Sequence, residues 1–188
     1  NYPDAEDHSV PIALFSYSNA ESGTIEADEM LKFEQFSKKG YIATEVECPE
    51  ESMEAGQKAA ENLYTTNPEI KVFLTPQNSH STGINSFYTS LNSPVTDYTG
   101  MGIFTVNGND SHAQMIKESM EGKSPMRGMV LTGGVEDTAG EMLMVANGLM
   151  DGSLPAGHIQ KAGTMLITED TVDEYLTTGT VTSLTPAD

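Results

Sequence analysis

The chain has a single cysteine, Cys48, so no internal disulfide is possible, and no histidine or second cysteine stands near it at the spacing of a metal site. The expectation for it is a buried or half-buried thiol. Positive charge is scarce too: 9 lysines and arginines face 28 aspartates and glutamates, for a formal net charge of -19. That balance argues against nucleic acid or an anionic membrane as partner, since both require a basic face. The acidic residues are spread along the chain instead of gathered in a tail, which reads as a solvated surface. No window approaches the ~18 apolar residues of a membrane span. The residues from Asn1 to Ser9 are polar and lack the charged-then-apolar order of a leader, so the expectation is a cytosolic protein or one whose targeting segment has been removed.

Catalytic motifs are missing as well. There is no Gly-Xaa-Ser-Xaa-Gly, hence no nucleophile elbow. Glu121-Gly122-Lys123-Ser124 ends like a phosphate-binding loop but follows a helix-like segment, so its amides are not aimed at a phosphate. Where a dinucleotide fingerprint would follow the first strand, Ser18-Asn19-Ala20 stands. His8, His80, His112 and His158 are dispersed, with no metal pair at helical spacing, and His80 reads as a solvated residue one turn into its helix. No cofactor is expected, and nothing here builds an enzyme, although the missing motifs do not exclude one.

What is present is a regular alternation. A chain of 188 residues with 37% hydrophobic content suffices for one sizeable core, so one domain is the default. Val10 to Tyr17 reads as a buried strand, followed by a turn at Asn19 to Gly23 and a helix through Ala27, Met30, Phe33 and Phe36 that stops at Lys38-Lys39-Gly40. Tyr41 to Cys48 alternates like a strand exposed on one side, near an edge. Gly56, Ala59, Ala60 and Leu63 mark a helix ended by Asn67-Pro68, and Ile70 to Thr75 is a strand. Ile84, Phe87, Tyr88 and Leu91 mark the next helix, Met101 to Val106 the next strand, and Ala113, Ile116 and Met120 a helix stopped by Gly122. Met126 to Leu131 is a strand. Ala139, Met142, Leu143, Ala146 and Leu149 form the clearest amphipathic stripe. A strand at Thr164 to Ile167 and a short helix opened by a capping box at Thr171-Val172-Asp173-Glu174 complete the chain. The sum predicts a three-layer α/β sandwich with a mainly parallel, Rossmann-like sheet of five or six strands and right-handed crossovers.

In such sheets ligands bind outside the carboxyl ends of the strands. The stretch from Asn67 to Asp110 holds two strand-to-helix corners, Pro76-Gln77-Asn78 and Asn107-Gly108-Asn109-Asp110, that put polar side chains there. Asn78 and Asp110 each precede a helix. They read either as helix caps or as a pair that hydrogen-bonds a neutral polar ligand. Tyr17, at the end of the first strand, is a stacking or a packing residue.

These corners resemble the carboxyl-terminal lobe of type I periplasmic binding proteins, the ribose- and galactose-binding group that also supplies effector domains to lactose-repressor-type regulators. Asn67-Pro68-Glu69-Ile70 stands where the family has Asn-Pro-Xaa-Ile, Gln77 to Gly83 loosely matches Asn-Asp-Xaa-Xaa-Ala-Xaa-Gly, and Gly108-Asn109-Asp110 matches Gly-Xaa-Asp. The resemblance implies that Gln77 replaces a sugar-contacting amide and Asp110 a sugar-contacting carboxylate, with Asn78 beside them and Tyr17 and Thr132 lining the cleft. Two departures count against a typical ribose or galactose ligand. No arginine occurs before Arg127, where the family grips the sugar from its first helix and this chain offers Glu29 or a neighbour. Thr132-Gly133-Gly134 replaces a glutamine after the fifth strand. A small, sugar-like polar ligand remains the expectation.

The resemblance further implies a lobe at residues 10–176, inter-lobe remnants at 1–9 and 177–188, a missing amino-terminal lobe, an extracytoplasmic location, and a membrane permease or sensor of an importer as partner. The alternatives are the sensing domain of a transcriptional regulator or receptor, and a flavodoxin-like enzyme using Asp110 as acid or base.

Overall fold

Val10 to Tyr17 is apolar on both sides of its alternation, and a strand of that kind has to lie inside a sheet. It forms β1 (Pro11–Ser16), with Ile12, Ala13, Leu14 and Phe15 all at most 2% exposed. The computed structural model describes residues 10–17, 42–132, 135–158 and 163–181, with positions 19, 25 and 28. Apart from position 28, the helix expected through Ala27 to Phe36 lies outside the described residues, as do His8, Glu29 and Gly133-Gly134.

Six strands form one sheet in the order β2-β1-β3-β4-β5-β6, adding β2 (Ile42–Glu47), β3 (Val72–Thr75), β4 (Gly102–Val106), β5 (Met126–Thr132) and β6 (Thr164–Thr168). The first five are mutually parallel and β6 runs antiparallel to β5. The edge position expected for the second strand holds: β2 ends the sheet with Glu45 and Glu47 exposed.

Helices α1 (Met53–Thr66), α2 (Asn78–Thr89) and α3 (Asp110–Met120) are the crossovers from β2 to β5. Right-handed crossovers running in one direction across a sheet fall on one face. Accordingly Ala60, Leu63, Ile84, Tyr88, Ala113 and Ile116 pack into one core with Ala13, Phe15, Phe73, Ile103 and Met129. The helix ends follow the local chemistry. The Ser52 hydroxyl accepts the Ala55 N–H at 3.1 Å to start α1, and Asn67, held before Pro68, closes it with its N–H on the Leu63 carbonyl at 2.7 Å. Helix α3 stops where Gly122 turns to φ 72°.

Two glycines let α1 and α2 approach backbone to backbone. A Cβ on Gly56 would lie 2.4 Å from the His80 carbonyl oxygen, and one on Gly83 would lie 2.1 Å from that of Met53. This contact locates the start of α2, and with it the Gln77-Asn78 corner.

Helices α4 (Val135–Asp151) and α5 (Val172–Thr178) depart from the sequence expectations. The amphipathic stripe of α4 faces outward: Met142 is 69% exposed, Leu143 65% and Leu149 46%, while Gly148 is the buried position among its described residues, against Leu154. Periodicity identifies side chains that gain from burial and says nothing about what stands opposite them. Leu91, expected on the apolar face of α2, lies beyond the helix end and is fully exposed. The capping box at Thr171 does not form either. Its hydroxyl accepts the Thr168 N–H at 2.9 Å and donates to the Leu166 carbonyl at 3.2 Å, so it closes the end of β6 instead.

Gly83→Ala should destabilise the fold by about 1–3 kcal/mol, because the atoms its Cβ would strike, the Met53 carbonyl oxygen and the Gln57 nitrogen, are backbone and cannot turn aside. Gly140→Ala, in the interior of α4 with nothing within 4 Å of the added carbon, should stabilise by about 0.5–1 kcal/mol. Urea denaturation of the two variants beside the parent measures both, and equal effects would refute the close helix crossing.

Candidate ligand-binding site

The sheet order makes β1 and β3 neighbours although the chain leaves one towards β2 and the other towards β4. Connections diverge at that point, and their divergence leaves a crevice at the carboxyl ends of the strands. Tyr17 follows β1 and Gln77-Asn78 follows β3, so the structure brings these predicted residues to the two sides of the crevice. The Tyr17 ring stands edge-on to His80, with centroids 6.1 Å apart.

Gln77 occupies the N-cap position of α2 in extended conformation, and its half-buried side chain makes no capping bond. Asn78 is the first helical residue and does not cap α2 either. Its Nδ2 donates to the Asn107 carbonyl at 2.6 Å, which joins the β3 corner to the β4 corner. Beneath this link the Thr75 hydroxyl donates to that of Thr105 at 3.0 Å, both buried and opposite one another in register.

The cap reading fails for Asp110 as well, by one residue. Asn109 caps α3, its Oδ1 accepting the N–H groups of Ser111 at 3.0 Å and His112 at 3.4 Å. The exposed carboxylate of Asp110 accepts the Tyr175 hydroxyl of α5 at 3.0 Å. Burial, then this neighbouring carboxylate, holds the Tyr175 phenol above its usual range. Asp110 is thus bonded to α5, while Asn78 is bonded to Asn107. Thr132 closes β5 opposite Thr164, and its backbone alone is described.

Three residues at this edge were not singled out from the sequence. Asn107, exposed at the end of β4, has φ 57°, the one positive φ among described residues other than glycine. Asparagine is one of the few residues besides glycine that adopts left-handed backbone readily, and the Asn-Gly pair at 107–108 was a readable sign of it. His80, expected to be solvated, is 0% exposed. Its Nε2 lies 2.8 Å from the Glu50 carbonyl, its ring packs between Phe15 and Tyr17, and its Nδ1 is buried without a partner. Its spacing with Ile84 and Tyr88 on the buried face of α2 was the missed signal. His112, 2% exposed, sits between the first turns of α2 and α3.

The loops after β1 and β2 are joined behind Tyr17. Cys48 donates its N–H to the Ser16 carbonyl at 2.9 Å and Asn19 donates to the Pro49 carbonyl. The Cys48 thiol is buried, as expected, and pushed up to about 11 by that burial and by Glu47, so it is not a nucleophile at neutral pH.

No described lysine or arginine lies at the carboxyl end of a strand or in the first turn of a helix. Lys71, Lys123 and Arg127 belong to the opposite edge, where Arg127 binds Glu169 at 2.6 Å and the Tyr98 and Met101 carbonyls. Among the described residues no cluster of His, Cys, Asp and Glu is arranged to hold a metal ion, and no helix is long and apolar enough to cross a membrane. The described residues at the crevice offer amide, hydroxyl and phenol groups, with the Asp110 carboxylate beside them.

A mainly parallel six-stranded sheet with helical crossovers and a polar crevice at the switch point is the architecture of one lobe of a type I periplasmic binding protein, as the resemblance implied. No protein-family model and no curated protein sequence matches the chain. Solved structures do. A Mycobacterium smegmatis protein in complex with β-D-fucofuranose superposes with TM-score 0.70 at 11% identity over 90% of this chain and 53% of its own. An arabinose-binding protein from Geobacillus stearothermophilus gives 0.67 at 12% identity, covering 88% and 56%. A periplasmic ribose ABC transporter protein from Conexibacter woesei gives 0.65 at 16% identity, covering 89% and 53%. The chain spans about half the length of each of these proteins.

Burial lowers the His112 pKa below its ordinary value near 6.5. The unfolded chain then binds a proton that the folded chain does not, so the contribution of His112 to stability is complete above about pH 6.5 and is lost as pH falls through the folded value. Urea midpoints measured from pH 8 to pH 5 should fall on the acid side, by about 1.4 kcal/mol of stability per unit of separation, and His112→Gln should flatten the slope. An unchanged slope in that variant would remove His112 as its source.

Proposed function

We propose that this chain is the ligand-binding lobe of an extracytoplasmic solute-binding protein for a sugar-like small molecule, working with a second lobe and delivering its ligand to an ABC-type importer. The observation that carries the reading is the pair of polar corners beside the switch point, where Gln77 makes no capping bond and Asn78 Nδ2 reaches the Asn107 backbone carbonyl, on a fold shared with lobes of sugar-binding proteins. An amide donates to one hydroxyl and accepts from another, so a row of amides suits a polyhydroxylated neutral ligand, with Tyr17 available to stack on an apolar ring face.

The contact residues in this reading are Tyr17, Gln77, Asn78, Asp110 and Thr132, joined by Asn107. Asp110 contributes while bonded to Tyr175, which leaves its carboxylate oriented but shared. The absence of a described cation at this edge speaks for neutral over phosphorylated or acidic ligands. Catalysis has no support in the arrangement, since Asp110, the one group considered as an acid or base, has the Tyr175 hydroxyl as its bonded partner in place of a second carboxylate.

A thermal-shift series on the full chain with D-ribose, L-arabinose, D-galactose, polyols and methylthioribose tests this reading. A ligand present at a hundredfold excess over Kd adds about 2.7 kcal/mol, which raises Tm by roughly 5–10 °C for a chain of this size. Gln77→Ala and Asp110→Ala should each weaken binding by about three- to tenfold, the range of a lost hydrogen bond. No shift with any polyhydroxylated compound would overturn the sugar assignment.

A further inference from the structure

His80 touches three of the segments that surround the crevice. It stands in the first turn of α2, where a Cβ on Gly56 of α1 would come within 2.4 Å of its carbonyl oxygen, so its main chain has no room to shift towards α1. Its Nε2 lies 2.8 Å from the Glu50 carbonyl in the loop after β2. Its ring centroid is 6.1 Å from that of Phe15 and 6.1 Å from that of Tyr17. Phe15 in β1 and Tyr17 just beyond it are two positions apart, the spacing that puts side chains on one face of an extended chain. The imidazole lies against both.

The chemistry of the partners assigns the ring. A carbonyl only accepts, so Nε2 carries a proton and donates it to Glu50. That carbonyl also accepts the Ser52 N–H at 3.0 Å and is satisfied without the histidine. Nδ1 is buried with no partner. A phenylalanine would pack against Phe15 and Tyr17 without burying an unpaired nitrogen, which costs free energy. What the imidazole adds over an apolar ring is the bond to Glu50, which ties the ring to the loop after β2.

The backbone at Tyr17 is held separately. Cys48 donates its N–H to the Ser16 carbonyl at 2.9 Å, and Asn19 donates to the Pro49 carbonyl, so bonds to the loop after β2 flank Tyr17 on both sides. They fix where the residue stands and leave the direction of its side chain to packing. We propose that His80 is a positioning residue for Tyr17: held by α1 and Glu50, its ring sets the direction in which the phenol projects at the crevice. The inference rests on the reading of Tyr17 as a ligand contact for its function, not for its geometry. A stacking ring already in place when the ligand arrives binds it more tightly than one whose torsions must be frozen on binding.

The test reads the rings first, by NMR of the full 13C,15N-labelled chain with no ligand. The parent should show NOEs between the His80 and Tyr17 ring protons, a His80 ring protonated on Nε2, and Hα–Hβ couplings of Tyr17 that report one χ1 rotamer. His80→Gln removes the ring but keeps an N–H donor, and should average the Tyr17 couplings. His80→Phe keeps the ring, and should preserve the single rotamer while moving the amide of Glu51, whose peptide carbonyl loses its bond. Ile167→Val, in the core on β6, controls for loss of stability alone and should leave Tyr17 unchanged. If His80→Gln does not fold, the parent NOEs and His80→Phe decide. Missing ring-to-ring NOEs, a ring protonated on Nδ1 alone, a Tyr17 rotamer unmoved in folded His80→Gln, or one lost in His80→Phe would each overturn the proposal. L-arabinose titrations then read the functional consequence. His80→Gln should weaken binding about two- to tenfold, the span of one aromatic contact, and His80→Phe should bind close to the parent. Failure of the parent to bind arabinose would count against the ligand assignment, while the ring measurements decide the role of His80.

Discussion

One backbone carbonyl, that of Asn78, joins the two corners on which the site is built. It lies within hydrogen-bonding distance of the Ser81 and Thr82 hydroxyls and of the His112 ring, while the Asn78 side chain reaches across to Asn107. A buried polar group in a low-dielectric setting has to be satisfied, so these bonds constrain where α2 and α3 can begin. Removing the network would leave two helices still attached to the sheet by their apolar faces but with their first turns free to shift relative to each other.

The other constraint on that corner comes from below. Gly56 and Gly83 allow α1 and α2 to touch through their backbones, and the Thr75–Thr105 pair joins β3 to β4 under the crevice. Close approach fixes position more tightly than side-chain packing does, because backbone atoms have no rotamers to yield. The polar residues at the carboxyl edge therefore stand on a rigid support, which is what a binding site of neutral hydrogen-bond donors and acceptors needs in order to discriminate between hydroxyl patterns.

The legibility of the sequence differed between fold and site. Strand and helix periods were clear because burial on one or both faces imposes them residue by residue, as in Pro11 to Ser16 and in the alternation of β2. The two corners were legible for the same reason, since Pro76 and the Asn-Gly at 107–108 interrupt a period. Individual roles were not. Asp110 turns to Tyr175, 65 residues on, and leaves the cap of α3 to Asn109, and His80 is buried against the Glu50 carbonyl 30 residues back, because a side chain takes its role from partners that lie far off in the chain.

The sequence by itself determined the element order, the mainly parallel sheet and the polar character of its carboxyl edge, since each follows from local periodicity, from breakers and from the handedness of crossovers. Only the tertiary structure decided that Asn78 faces Asn107, that Asp110 turns to Tyr175, that His112 closes the gap between two helices, and that the apolar stripe of α4 is exposed. The physical reason is that periodicity records how much each residue gains from leaving water, a property of one position. A hydrogen bond or a packed face is a property of two positions, and their meeting is settled by the register of strands and the approach of helices.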